Sequence, residues 1–150
     1  MLAIVRRSAV VLGFLAIVAC DDDPVSPFGL FAARARWERA NIDSYEMTVR
    51  RQCGECPVFN PVRLTISGGV IVSRVDVVTG DPVSPQLADL FPDVPGLFAL
   101  VDQAVAKAHD LRVTYHRTYG FPTVISIDWV LEHADDEIAY RVEDFAVRLE

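Results

Sequence analysis

Val62-Arg63-Leu64-Thr65-Ile66-Ser67-Gly68-Gly69-Val70 decides the architecture of this chain. Val62, Leu64 and Ile66 alternate with polar residues, the two-residue period of a strand buried on one face. Ser67-Gly68-Gly69 then marks a hairpin, because glycine supplies the positive φ that tight turns between antiparallel strands require. The returning strand runs from Val70 to Val78, and Thr79-Gly80-Asp81-Pro82 ends it.

On the N-terminal side of this hairpin, Tyr45, Met47 and Val49 alternate with Glu46, Thr48 and Arg50, which predicts another strand. Cys53-Gly54-Glu55-Cys56-Pro57 and Asn60-Pro61 break it. Farther back, Ser26-Pro27 suits an N-cap and first helical position. Leu30, Ala33, Trp37 and Ala40 recur at helical spacing, so a helix is predicted over 28–41 with Trp37 packed under a sheet. Arg34 faces Glu38 four residues on. On the C-terminal side, four prolines between 81 and 96 predict a loop, interrupted by a helical turn over Pro85–Phe91. Phe98, Val101, Val105 and Ala108 predict a second helix over 96–109. Leu111, Val113 and Tyr115 open a strand, and Gly120-Phe121-Pro122 turns it. Val124–Leu131 is an apolar strand, Glu132–Glu137 an acidic turn, and Ile138–Leu149 the last strand. The change of apolar phase between Val142 and Phe145 predicts a bulge near Glu143-Asp144. The order is helix, three strands, helix, three strands. It predicts an α+β fold: a mainly antiparallel sheet of about six strands with two helices on one face. The two halves read as a structural pseudo-repeat without a matching sequence repeat.

The start of the chain speaks to location. Arg6-Arg7 precedes an apolar run over Ala9–Ala19, too short to span a bilayer, which takes roughly 20 apolar residues. A positive start, a short apolar core and small residues before a cut site read as a signal peptide over 1–19. Ile17-Val18-Ala19-Cys20 resembles the lipobox of bacterial lipoproteins, which implies that Cys20 is lipidated and becomes the mature N-terminus. Residues 20–27, with Asp21-Asp22-Asp23-Pro24, read as a lipidated tether, and 28–150 as one globular domain. The expectation is an exported protein anchored to the cell membrane by lipid, on the periplasmic or outer-surface side.

The chain carries 14 basic and 21 acidic residues, a formal charge of −7, which argues against nucleic acid as a partner. With Cys20 taken by lipid, Cys53 and Cys56 form an even pair in an oxidising compartment. Their spacing is that of thioredoxin-like redox sites, but no βαβ unit surrounds them, and a structural disulfide clamping a hairpin end is the expectation. A thiol redox role is the alternative. Asp128, Asp135, Asp136 and Glu137 form the densest acidic group, a weak candidate for Ca²⁺, although no Asp-x-Asp-x-Asp-Gly loop accompanies them. They are expected to be a solvated turn. No Gly-x-Ser-x-Gly, His-Glu-x-x-His or phosphate-binding glycine loop is present. The expectation is therefore a non-enzymatic envelope domain without cofactor that binds a protein or peptide partner, with a thiol redox accessory protein or a Ca²⁺-binding envelope protein as alternatives.

Several features occur together: Trp37, Ser44-Tyr45, the cysteine pair, Asp89-Leu90-Phe91 and Leu97. Tyr119-Gly120-Phe121-Pro122, Ile125, Asp128 and Asp135-Asp136-Glu137 complete the set. This set resembles the bacterial lipoproteins of domain-of-unknown-function family 6174 over about residues 35–145. The family is associated with a Cys-x-Cys pair, whereas two residues separate the cysteines here. The resemblance implies fold and location, and no activity.

Overall fold

Ser26 and Pro27 start the first helix as their chemistry dictates. In the computed structural model, which describes residues 25–130 and 137–148, the Ser26 hydroxyl accepts the Gly29 N–H at 3.0 Å and opens α1, Pro27–Ala40. Asn41, in the left-handed region, closes the helix. The expected signal peptide (1–19), Cys20 and the first part of the tether lie outside the described residues, as do Asp135 and Asp136. Three strands follow: β1 (Tyr45–Cys53), β2 (Val62–Ser67) and β3 (Val70–Asp76). A 3-10 turn over Pro85–Leu90 leads to α2 (Val94–Lys107), and the chain then forms β4 (Asp110–Tyr115), β5 (Pro122–Asp128) and β6 (Ile138–Val147). Among the described residues, no helix is long and apolar enough to cross a membrane.

The second helix begins two residues earlier than the spacing predicts. Asp93 is its N-cap, accepting the Gly96 N–H at 2.9 Å, and Pro95 sits in the first turn, where a missing N–H costs nothing. Tyr45 completes the cap: its hydroxyl accepts the Val94 N–H at 3.1 Å, and burial pushes its phenol far above the ordinary range. The helix stops at Lys107 because His109 already donates to the Asp128 carbonyl at the head of the β4–β5 ladder.

All six strands form one antiparallel sheet in the order β3-β2-β1-β6-β5-β4. This is the α+β architecture expected. The pseudo-repeat is not realised in space: β1 lies at the centre of the sheet, whereas β4, its counterpart in chain order, lies at an edge. The expected bulge is present. Thr48 pairs with Glu143 and Glu46 with Ala146, so Asp144 and Phe145 together oppose Met47. Asp144 takes a φ of 51°, which an aspartate tolerates better than most residues.

Met47, Val49, Leu64, Ile66, Ile125 and Ile127 point to one face and are fully buried there beneath both helices. From α2 come Val94, Leu97, Phe98, Val101 and Ala104. From α1, Ala33 is buried and Trp37 meets Tyr45 and Phe121 edge to face at 5.5 and 5.9 Å. Arg34 does not reach Glu38. It pairs with Asp102 of α2 at 2.8 Å and lies 5.1 Å over the Phe98 ring, tying one helix to the other. Both members of that pair are well exposed, so it contributes about 1 kcal/mol at most.

The turn between β4 and β5 sets how close α1 comes. Gly120 has a φ of 81°, and a Cβ there would collide with the Ala33 carbonyl oxygen and lie 2.9 Å from Arg36 Cβ. Gly120→Ala is therefore expected to lower the unfolding free energy by about 2–4 kcal/mol. Gly69→Ala shares the positive φ but meets nothing within 4 Å, and should cost about 1 kcal/mol. Urea unfolding of the two variants checks the difference.

Candidate functional site

Two places on the sheet combine accessible backbone or sulfur with a concave surface. The first is the β3 edge. A sheet edge presents unpaired N–H and C=O groups, and natural edges are usually blunted by charge, bulges or cover. At the β4 edge Asp110, Arg112 and Thr114 are exposed, and Arg112 pairs with Asp110 at 3.2 Å. That edge is charged. The β3 edge is apolar: Val70 is 64% and Val72 61% exposed. Its far half is covered, since Val75 bridges Pro82, Asp76 N–H donates to the Asp81 carbonyl at 2.9 Å, and Val83 N–H donates to the Arg74 carbonyl at 3.0 Å. Among the described residues, 70–73 pair with β2 alone. Thr65 pairs with Ser73 and Ile66 with Ile71, so Val72 is the extra residue of a second bulge.

Beside this edge lies a groove of about 460 Å³, lined by Val72, Arg74, Pro82, Val83, Pro85 and Ala88 among others. Arg74 is fixed in its floor by donating to the Phe91 carbonyl at 3.2 Å. The turn that leads to Pro82 and Val83 on its wall is organised around one carboxylate. Asp76 Oδ1 accepts the N–H groups of Val78 and Thr79 at 2.8 and 3.0 Å, and Oδ2 accepts Asn60 Nδ2 at 3.0 Å. The bonds from Thr79, Asn60 and Val78 together hold the Asp76 carboxyl below its usual range.

The second place is the cysteine pair. Cys53, the last residue of β1, is disulfide-bonded to Cys56 across a turn, and Gly54 N–H donates to the Glu137 carbonyl at 3.3 Å. Both cysteines are half-buried beside a groove of about 420 Å³. No helix begins there, so the dipole that activates thioredoxin-type cysteines is missing from this loop. What spacing alone did not indicate is Arg51. Its Nη1 lies 3.0 Å from Cys53 Sγ and 3.3 Å from Cys56 Sγ, while Nε donates to the Tyr140 hydroxyl at 3.2 Å. Arg51 and Cys53 sit two apart on one strand and so share a face, which is the signal that sequence carries for this contact.

The acidic group divides. Asp128 ends β5 opposite Asp110, and its Oδ1 is buried without a hydrogen bond among the described residues. Glu137 is exposed ahead of β6. Asp135 and Asp136 lie outside the described residues, within which no three His, Cys, Asp or Glu side chains group to hold a metal ion. His116 serves packing: it stacks on Tyr119 and Phe121 at 5.1 and 4.8 Å, and its Nδ1 accepts the Tyr119 N–H. Phe121 is core, Tyr115 lies against Phe98, and burial pushes the Tyr115 phenol up to about 12.

Residues 29–147 match a family of unknown function (DUF6174). No curated protein matches the chain.

The Asp76 contacts yield a pH-dependent expectation. A carboxyl whose folded pKa is depressed stabilises the fold above its unfolded value, and that stabilisation is lost as pH falls through the folded value. Asp76→Asn should thus be less stable than the parent at neutral pH. The gap should close as pH drops below the ordinary value of 3.8, measured by denaturant unfolding at a series of pH values.

Proposed function

The chain belongs to domain-of-unknown-function family 6174, and from that premise we propose that it is a bacterial lipoprotein whose domain, rather than catalysing a reaction, binds an extended segment of a protein partner along β3. The observation that carries this reading is the apolar, half-open edge at Val70–Ser73 beside the 460 Å³ groove. An added strand would satisfy the free backbone groups of this edge, and its alternate side chains would enter the groove. Burying Val70 and Val72 would add about 1–2 kcal/mol each. The charged β4 edge lacks such a surface.

Ile17-Val18-Ala19-Cys20 supports the anchor. From Cys20 to the start of α1 at Pro27 the chain reaches about 25 Å at full extension, roughly 3.5 Å per residue. The domain would therefore work close to the bilayer. Phe28 and Phe31, both largely exposed on α1, sit at this tethered end, and apolar side chains of this kind insert into the headgroup–acyl boundary.

Two experiments test the reading. Cys20→Ala should move the protein from the membrane fraction to soluble or uncleaved material, because stable anchoring needs two acyl signals. Unchanged partitioning with normal processing would remove the anchor. For the edge, a photo-crosslinking residue at Val72 should capture a defined peptide segment in cells, and one at Thr114 should not. The captured segment, made synthetically, should protect the amides of 70–73 from hydrogen exchange and lose at least tenfold in affinity to Val72→Lys. Equal capture at both positions, or binding indifferent to Val72→Lys, would overturn the docking edge.

A further inference from the structure

We propose that the Cys53–Cys56 disulfide is an exchangeable redox bond, and that Arg51 is the cation that stabilises the sulfur released when it opens. This site is separate from the β3 edge, and neither reading depends on the other.

The guanidinium of Arg51 touches both sulfurs and is held in place from two further sides. Its Nε donates to Tyr140 of β6, and its plane lies 5.9 Å over the Phe59 ring. A sulfur in an intact disulfide is a weak acceptor and gains little from a full positive charge at 3.0 Å. A thiolate in the same place is an anion and gains a charge-assisted bond. The arrangement therefore favours the reduced pair over the bonded one. A cation beside a cysteine lowers its pKa, and a lower leaving-group pKa speeds exchange. A bond that served only to clamp the loop would have no need of this partner. The two cysteines are half-buried rather than sealed, and the groove beside them, edged by Pro57 and Val58, leaves a path for an incoming chain.

The reacting partner is a protein segment carrying two thiols. One of its thiolates attacks a sulfur of the pair. The Cys53–Cys56 bond breaks, a mixed disulfide forms, and the other cysteine leaves as a thiolate against Arg51. The partner's second thiolate then attacks the mixed disulfide. The partner ends as a disulfide and this chain as a dithiol, so two electrons and two protons have passed to Cys53 and Cys56. Among the described residues, the other charged or titratable groups around the pair are Arg50 at the groove, Tyr140 behind Arg51, Glu55 within the loop and Glu137 opposite Gly54. Glu55 and Glu137 are exposed, so water screens their opposition to the thiolate.

The test uses the full-length protein solubilised in detergent, equilibrated with mixtures of reduced and oxidised dithiothreitol. The redox state of Cys53 and Cys56 is read by differential alkylation and peptide mapping, which keeps Cys20 out of the measurement. The native pair should open in the folded protein. Arg51→Gln should shift the equilibrium at least tenfold toward the disulfide, about 30 mV for this two-electron couple, and slow its reduction, with Arg51→Lys recovering most of both. A pair that opens only on unfolding, or an Arg51→Gln protein matching the parent in equilibrium and rate, would overturn the proposal. Should Arg51→Gln fail to fold, the pH dependence of alkylation of the reduced parent decides. At least one of the two thiols should ionise below about 8.5, the ordinary cysteine value, and ionisation of both at or above it would overturn the proposal.

Discussion

One extra residue in β6 holds the design together. Along a regular strand Val142 and Phe145 would face opposite ways, since side chains alternate with a period of two. The bulge at Asp144, where two residues of β6 oppose Met47, turns Phe145 back to the helix-covered face. There it meets Phe121 at 4.4 Å, Tyr45 at 5.3 Å and Trp37 at 6.1 Å. Without this change of phase Phe145 would point to the open side of the sheet. Trp37 would lose one of the three rings it packs against, and α1 would lose part of its seat.

That seat matters because α1 has little else to hold it. Its exposed Phe28 and Phe31 show that its apolar residues do not form one clean stripe, so its place is fixed by a few contacts. Ala33, Trp37 and the reach of Arg34 to α2 supply them, and Gly120 admits the first two by leaving out a side chain where the helix backbone passes. The turn that carries Gly120 is closed by its own bonds, His116 N–H to the Phe121 carbonyl and Gly120 N–H to the His116 carbonyl, both 2.8 Å. The aromatic cluster and the glycine act together: one attracts the helix, and the other sets the distance.

Much of this was legible in the residues. The alternation of Val62, Leu64 and Ile66 and the glycine turn after them gave the β2–β3 hairpin, and the shift from Val142 to Phe145 gave the bulge, because both are local patterns. Local reading went astray where a residue's meaning depends on a distant partner. Pro95 looked like loop and lies inside a helix, because Tyr45 and Asp93 cap the amides on either side of it, those of Val94 and Gly96. Arg34 has Glu38 one turn away and takes Asp102 on the other helix. Strand order is the extreme case. Nothing near Val70 states that β3 will be an edge, so the exposure of Val70 and Val72 emerges only once all six strands are placed. The cysteine pair was evident from spacing. Arg51 was in view as a strand residue, but its contact with both sulfurs depends on Tyr140 and Phe59 holding it there.

The sheet order also has a consequence for when this protein can fold. β1, near the start of the domain, finds one of its two neighbours only in β6, and Glu46 and Arg148, which clasp the two strands at 2.9 Å, are 102 residues apart. Synthesis delivers β1 early and β6 late, so the middle of the sheet stays open until nearly the whole domain has been made. Contacts of such long separation are slow to form, since loop closure precedes their reward. The pairing of β1 with β6 therefore comes last, and the two sides of the sheet join only once nearly all of the domain has been made.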